Sequence, residues 1–217
     1  MSFYKFFDFL RDLNQNNSKE WMDENRKRYA QVRDWYIGWC DEMDDRLAAV
    51  DEHYHRTTGR EAIHRINNNK LYKPDLPTYK DNFSCSFDLG KMVPAFYLHL
   101  GLSNSFIGGG FYKASSGTLK KIRSAVDVDG ETLEGIINEK AFVDRFGEMS
   151  NEGALKTAPK GYSKDHPHIA LLNRKSFAAL TSITQKEIID EGFPDLVVAT
   201  YKDMLPLRNW LAEAVSE

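Results

Sequence analysis

Apolar residues recur at helical spacing through the first fifty positions of the chain. Those between positions 3 and 10 predict a short helix that ends in the polar run 14–17. A second apolar series follows, and with Asn17 or Ser18 as its capping residue it predicts one long helix over 18–50. The members of this second series are Trp21, Tyr29, Val32, Tyr36, Trp39, Met43, Leu47 and Val50.

The middle of the chain changes to alternation between apolar and polar positions, which is typical of half-buried strands. Residues 83–87 and 96–100 each predict such a strand. The turn 101–105 connects the second of them to another apolar pattern at 106–112, so the two indicate a hairpin. Residues 62–66 predict one further short strand.

Helical spacing returns in the last hundred residues. Ser115 or Ser116 is placed to cap a helix, and a further helical stretch covers about 130–147. Residues 177–183 predict the last strand. A C-terminal helix follows it, and Pro206 within that helix predicts a kink or a restart.

Strands in the middle, with helices before and after them, are typical of an α+β fold. We therefore predict a central, mostly antiparallel sheet packed with helices from the N- and C-terminal parts. No linker divides the pattern, so we expect a single domain over residues 1–217. A hydrophobic content of 41% and a charged content of 28% are ordinary for a globular protein. The net charge of −3 disfavours nucleic acid as a partner.

Cysteine usage and hydropathy bear on the expected location. Cys40 and Cys85 are too few to build a disulfide framework. The chain opens directly on an amphipathic pattern, without the pattern of a targeting segment. No window approaches the roughly 18 consecutive apolar residues of a membrane span. The sequence therefore predicts a cytoplasmic protein with no membrane partner.

The irregular segment 51–82 carries the clearest chemical signal. Between positions 56 and 80, six basic residues against two acidic ones leave a net charge of +4, with Tyr72 and Tyr79 among them. Arginine, lysine and tyrosine are donors that suit phosphate or carboxylate, so an anion pocket is one interpretation. The other is a solvated basic loop that balances the acidic long helix. The basic residues are Arg56, Arg60, Arg65, Lys70, Lys73 and Lys80.

Glycine and histidine spacings add two weaker signals. The run Gly108–Gly110 within a strand pattern predicts a bulge or a close approach of a ligand or another backbone. The pairs His53-x-His55 and His166-x-His168 lack a third ligand, so we predict no metal site. The sequence also shows no cofactor-binding pattern and no G-x-S-x-G, H-E-x-x-H or C-x-x-C motif, which leaves open whether the protein is an enzyme.

Several separated motifs together resemble one known family, catalogued as domain of unknown function 2461. The resemblance runs over nearly the whole chain. It implies a soluble α+β protein, usually bacterial, of an uncharacterised family, and it transfers no reaction. The motifs are Phe6-x-x-Phe9-Leu10-x-x-Leu13, Asn14-x-Asn16-Asn17-x-x-x-Trp21, Asn25-x-x-x-Tyr29, the stretch 65–80, Tyr97-Leu98-His99-Leu100, Gly108-Gly109-Gly110, Leu119-x-x-Ile122-Arg123 and Leu155-Lys156-x-x-Pro159-Lys160-Gly161-Tyr162-x-x-x-His166-Pro167.

The central stretch also departs from the family pattern, which reads approximately R-I-x-R-D-x-R-F-S-x-D-K-x-P-Y-K. Asn68 and Asn69 stand where the family has Arg-Asp, and Leu71 and Tyr72 stand where it has Arg-Phe. Asparagine and leucine cannot supply the bidentate grip of arginine on an anion. The sequence leaves open whether these departures abolish a function of the family.

These signals combine into one favoured function and one alternative. We expect a net-basic pocket that binds a small anionic or polar molecule, with His99 or His166 as the acid or base of any reaction. The alternative is a non-enzymatic protein-interaction module that uses aromatic residues of the long helix, with Trp210, as anchors. Because Arg65 and Lys80 stand at the two ends of the irregular loop, we expect both to be partly buried and to lie close to each other or to shared polar partners. The predicted ligand contacts are Arg65, Tyr79, Lys80, His99, Gly109, Arg123 and Lys160.

Overall fold

The structure is a computed structural model that describes residues 1–216, and it has an α+β fold with one four-stranded antiparallel sheet. The strands lie in the order β1-β2-β3-β4, so each pairs with its neighbour in sequence. They are β1 (Asn82–Phe87), β2 (Ala95–Gly101), β3 (Ser105–Phe111) and β4 (Phe177–Ser182). The helices are α1 (Phe3–Gln15), α2 (Lys19–Glu24), α3 (Arg26–Ala48), α4 (Gly59–Ala62), α5 (Ser116–Asn138), α6 (Lys140–Phe146), α7 (Ile169–Leu172), α8 (Gln185–Ile189) and α9 (Phe193–Ser216).

The predicted long N-terminal helix is present as α3, but it begins later than expected. Residues 18–50 form two helices, because Asn25 adopts a non-helical backbone conformation between them. The side chain of Asn25 donates to the carbonyl of Trp21 at 2.9 Å. Ser18 caps the first of the two helices by accepting from the Trp21 amide at 3.1 Å. The Trp21 carbonyl thus accepts from both the side chain and the backbone amide of Asn25, where the first of the two helices ends.

Two other predicted elements differ from the structure. The segment predicted as a strand at 62–66 starts as the last turn of α4, and Ile63 then forms only an isolated bridge to Cys85. The C-terminal helix α9 runs through Pro206 as one helix, so the predicted restart at that residue is wrong. Among residues 1–216, no helix is long and apolar enough to cross a membrane.

The chain divides into two compact units, each with its own core. The first comprises residues 1–89, 97–107 and 182–198, and the second comprises 90–96, 108–181 and the chain from 199 onward. The core of the first unit is rich in aromatic rings. Phe6 lies with its ring centroid 5.3 Å from that of Tyr36 and 5.0 Å from that of Phe83, so α1, α3 and β1 share one packed interior.

In the first unit, acidic side chains of α3 hold the segment that follows that helix. Asp44 is buried and accepts hydrogen bonds from the Tyr54 hydroxyl at 2.6 Å and the Thr57 amide at 2.8 Å. One turn earlier, Asp41 accepts from the amide of Gly59, the first residue of α4, at 2.6 Å. The irregular segment is therefore tied to α3 before it reaches the sheet.

The core of the second unit combines α5, α6 and α7 with β4 and α9 around buried aliphatic and aromatic residues. Its glycine run confirms the predicted close backbone approach. A Cβ on Gly109 would lie 2.9 Å from the Ala95 carbonyl oxygen and 3.3 Å from Met204 Cγ. A Cβ on Gly110, whose φ is +106°, would lie 2.2 Å from the Phe177 carbonyl oxygen. Neighbouring backbone and the Met204 side chain thus occupy the space that any larger residue would need.

Candidate functional site

One face of β1–β3 in the first unit is polar and aromatic, whereas the opposite face carries apolar core residues. In β1, the core residues Phe83 and Cys85 alternate with Ser84 and Ser86. Since successive side chains of a strand point to opposite faces, the two serines share the other side. The same alternation in β2 separates Leu98 from Tyr97 and His99. We call Ser84, Ser86, Tyr97, His99 and Phe106 the polar sheet face.

Contacts between side chains connect the members of the polar sheet face. The Tyr97 hydroxyl lies 3.3 Å from His99 Nδ1. The ring of His99 stacks on that of Phe106, with centroids 4.9 Å apart and planes at 5°. Tyr97 also lies 5.7 Å from Phe106, so three half-buried rings stand together on two adjacent strands.

The segment between α4 and β1 brings basic groups to this face. The His64 amide donates to the Ser84 carbonyl at 2.8 Å, and His64 Nε2 lies 2.8 Å from Ser86 Oγ. Lys80 is placed by a bond from its amide to the Ile66 carbonyl at 2.8 Å. Its ammonium donates to the Arg65 carbonyl, also at 2.8 Å. The segment therefore returns on itself, and Arg65 and Lys80 meet at its base.

The pKa values in this cluster move in the directions expected of crowded basic groups. Desolvation lowers the pKa of Lys80, and the nearby charge of Arg65 lowers it further. Desolvation also lowers the pKa of His64 and of His99, and the positive charge of Lys80 contributes to both shifts. Both imidazoles are consequently neutral at neutral pH, and Lys80 and Arg65 carry the positive charge of the cluster.

A nearby carboxylate belongs to Asp81, whose negative charge acts on His99. Burial by itself would raise the pKa of Asp81, but hydrogen bonds from Ser103 and Asn82 outweigh it and lower that pKa. The Asp81 backbone carbonyl accepts from Leu102 at 3.1 Å. Asp81 is thus held at the turn between β2 and β3.

In the part of the chain that the structure describes, some basic residues of the 56–80 segment form ion pairs with carboxylates, and others do not. Arg56 forms ion pairs with Asp44, at 2.9 Å, and with Asp45, so its charge is already compensated. Within residues 1–216, neither Lys80 nor Arg65 has a carboxylate oxygen within 4.0 Å of its side-chain nitrogens. The ion pairs of Arg56 agree with the interpretation of the segment as a solvated basic loop that balances the acidic helix. Lys80 and Arg65, beside the polar sheet face, have no such ion pairs within residues 1–216.

The structure places the first-unit candidates in different environments. Lys80 and His99 are half-buried, and Arg65 is exposed, although its carbonyl binds Lys80. Tyr79 is buried, and its backbone is held in both directions by Asn17, with bonds of 2.8 and 3.0 Å. The prediction that Arg65 and Lys80 lie close together is confirmed, but the expected partial burial of Arg65 is wrong.

The second unit contains the predicted ligand contacts Gly109, Arg123 and Lys160, and each of them lies in a different environment. Arg123 donates from Nε to the Leu172 carbonyl at 2.8 Å and from Nη2 to the Arg174 carbonyl at 3.3 Å, so it supports the end of α7. Lys160 is exposed in a turn.

His166 is engaged at both of its ring nitrogens. Its Nε2 lies 3.0 Å from Asp127 Oδ1, and its Nδ1 accepts from the His168 amide at 3.0 Å. His168 Nδ1 lies 3.0 Å from Glu134 Oε1 without the alignment of a hydrogen bond. These contacts attach the loop that precedes α7 to α5. Within residues 1–216, no group of three or more His, Cys, Asp or Glu side chains could hold a metal ion.

The aromatic residues considered as interface anchors are mostly interior. Tyr36 and Trp39 are buried, and Trp39 stacks on Phe193 with ring centroids 5.6 Å apart. Trp35 is half-buried and packs edge to face against Phe3 at 5.0 Å. Trp210 is buried in the core of the second unit.

The comparison with protein families gives a match over nearly the whole chain. The family model described as "Conserved hypothetical protein (DUF2461)" matches residues 5–210. The chain belongs to this family. No curated protein and no solved structure matches the chain.

The departures from the family pattern lie outside the polar sheet face. An isolated bridge between Asn67 and Tyr79 closes the segment that contains them. Within that segment, Asn68 donates to the Pro77 carbonyl at 2.9 Å, and Leu71 is 82% exposed. Arg65 and Lys80 lie outside the bridge, next to the sheet. The altered positions therefore belong to an exposed loop rather than to the basic cluster.

Sequence reasoning did not select His64, Ser84, Ser86 or Tyr97 as site residues, although the signal was present. The serines occupy the polar half of an alternating strand, and all the residues of β1 are buried in the structure. Buried hydroxyl groups need hydrogen-bond partners, so such a strand indicates a second, polar layer above the sheet.

Proposed function

We propose that the polar sheet face, together with Arg65 and Lys80, binds a small molecule through an anionic group such as phosphate or carboxylate. The single observation that carries this proposal is the half-buried Lys80 side chain, whose ammonium lies beside Arg65 and, within residues 1–216, has no carboxylate partner. A desolvated cation gains free energy when an anion joins it. Arginine and lysine together supply both a planar fork and a point charge for an oxyanion.

The neighbouring groups suit the polar remainder of such a ligand. The neutral imidazoles of His64 and His99 can each donate or accept a hydrogen bond, and the Tyr97 hydroxyl can do both. His99 also has a ring nitrogen within reach of Tyr97, which would allow proton transfer if a reaction occurs there. The proposal is a binding function, and it assigns no reaction.

The alternative of a protein-interaction module receives less support. Interface anchors act through exposed aromatic surface, whereas Tyr36, Trp39 and Trp210 are already used in the cores of their units. Among the aromatic residues proposed as anchors, Trp35 retains the most accessible surface, as a half-buried side chain. A single half-buried ring offers little of the contiguous surface that an interface requires.

Inorganic phosphate is the first probe, and thermal unfolding is the readout. A ligand at one hundred times its Kd stabilises the folded state by about 2.7 kcal/mol. At about 2–4 °C per kcal/mol, that raises the Tm of a chain of this size by roughly 5–10 °C. Specific binding saturates with concentration, whereas the general effect of phosphate on burial does not.

Two variants locate the effect. Lys80→Met removes the charge at similar volume, and it is expected to abolish the saturable part of the shift. Lys120→Met removes an exposed lysine of α5 and is expected to leave the shift intact. Equal, unsaturating shifts in all three proteins would contradict the proposal.

A further inference from the structure

We infer that the anionic group belongs to a nucleoside phosphate, whose base stacks on the aromatic rings of the polar sheet face while its phosphate binds at Lys80 and Arg65. This inference rests on the proposed function and adds the ligand class. It starts from an asymmetry of the site. The cations Lys80 and Arg65 lie at one side of the polar sheet face, and the face itself consists largely of aromatic rings.

The rings are more than an anion by itself requires. Phosphate is normally held by N–H donors and cations, and flat carbon surfaces contribute nothing to its binding. Here Tyr97, His99 and Phe106 occupy three of the five positions of the polar sheet face, and each is half-buried, so part of each ring remains accessible. Every nucleobase has a π face, and stacking on an aromatic side chain is a common way to bind it.

The arrangement of the rings suits stacking of a further planar group. His99 and Phe106 already lie parallel, 4.9 Å apart, which orients both rings in the same direction. Tyr97 is tilted against Phe106 by 47°, and His64 meets Tyr97 edge-on at 5.7 Å. A planar base can extend the His99–Phe106 stack by lying on an outer face, with Tyr97 as a lateral wall.

Charge complementarity determines the orientation of the ligand in the site. The Lys80 ammonium binds the Arg65 carbonyl at 2.8 Å, and the ring of the preceding residue, His64, lies 5.7 Å from that of Tyr97, so the cationic and aromatic parts of the site adjoin. The Asp81 carboxylate, which accepts from the Ser103 amide in the turn between β2 and β3, would repel a phosphate at that turn. The phosphate therefore belongs beside Lys80 and Arg65, and the uncharged base belongs over the rings. Neutral imidazoles favour this placement because they add no charge beneath the base.

Four probes separate the two ends of the ligand: inorganic phosphate, ribose 5-phosphate, adenosine and adenosine 5′-monophosphate. Kd values from NMR titration of the full chain provide the readout. Base stacking is expected to make adenosine 5′-monophosphate bind about 5- to 150-fold tighter than ribose 5-phosphate. Phe106→Leu should remove this difference without weakening ribose 5-phosphate. Tyr4→Leu removes an exposed ring of α1 and should change neither Kd.

Each negative result has its own meaning. Equal Kd values for ribose 5-phosphate and adenosine 5′-monophosphate would overturn the nucleoside inference and leave the anion site standing. Absence of binding by all four probes would overturn both. Adenosine binding as tightly as its monophosphate would also overturn the inference, because the phosphate would then contribute nothing. If Phe106→Leu does not fold, the four Kd values of the unmodified chain decide the question.

Discussion

Gly59 offers the sharpest test of how the segment carrying the basic cluster is positioned. A Cβ at this residue would lie 2.1 Å from the Ile37 carbonyl oxygen and 3.0 Å from the Ile37 carbonyl carbon. Both atoms belong to the backbone of α3, which cannot move aside as a flexible side chain does. Gly59→Ala must therefore push α4 away from α3 and stretch the 2.6 Å bond from its amide to Asp41.

The expected loss is at the upper end for overpacking, about 3 kcal/mol, because backbone meets backbone and a hydrogen bond is strained as well. For a chain of this size, that lowers the Tm by roughly 6–12 °C. Gly38→Ala is the matched control, since Gly38 lies within α3 and its Cβ would meet nothing within 4 Å. There the better helix propensity of alanine is expected to stabilise by up to about 1 kcal/mol.

Thermal and urea unfolding of the two variants, measured beside the unmodified chain, gives the comparison. The reasoning requires changes of opposite sign from the same chemical substitution. If Gly59→Ala is as stable as the unmodified chain, the close packing of α4 on α3 is wrong. The attachment that places His64 and Arg65 beside the sheet would then need another explanation.

The remaining predictions concern titration and buried charge. Because the folded state lowers the pKa of both His64 and His99, the unfolded chain binds more protons below about pH 6.5, so the free energy of unfolding should fall as the pH drops from 7 towards 5. The double variant with glutamine at both positions should show a flatter profile in urea unfolding at several pH values, and an unchanged slope would refute this assignment. Asp44→Asn should cost about 1–3 kcal/mol in the same assay because Asp44 accepts buried hydrogen bonds. Asp45→Asn, at an exposed ion pair, should stay within about 0.5 kcal/mol, and equal losses at the two sites would contradict this account.

Much of the fold was predictable because its elements follow local rules. The apolar spacing in α1, the alternation in β1 and β2, and the cap at Ser115, which accepts from the Thr118 amide at 3.2 Å, each depend on residues close in sequence. The errors also have local causes. A hydrophobic series continued across Asn25, so periodicity could not reveal the break that its backbone conformation makes between α2 and α3.

The candidate site was only partly predictable. Arg65 and Lys80 stand out in the sequence as cations at the two ends of an irregular segment, and their proximity in the structure confirms that inference. The sequence did not show that Arg56 is compensated by Asp44 and Asp45, because that pairing joins an irregular segment to the face of a helix.

By itself, the amino-acid sequence determined the α+β class, the family and the basic character of the central segment, since each is carried by spacing or composition. Only the tertiary structure decided which of the basic residues remain unpaired and what they stand beside. Charge compensation and ring stacking depend on distances of a few ångströms between residues that can be tens of positions apart, and sheet pairing sets those distances. His64 and Ser86, 22 positions apart, meet at 2.8 Å because the segment before β1 folds back along that strand.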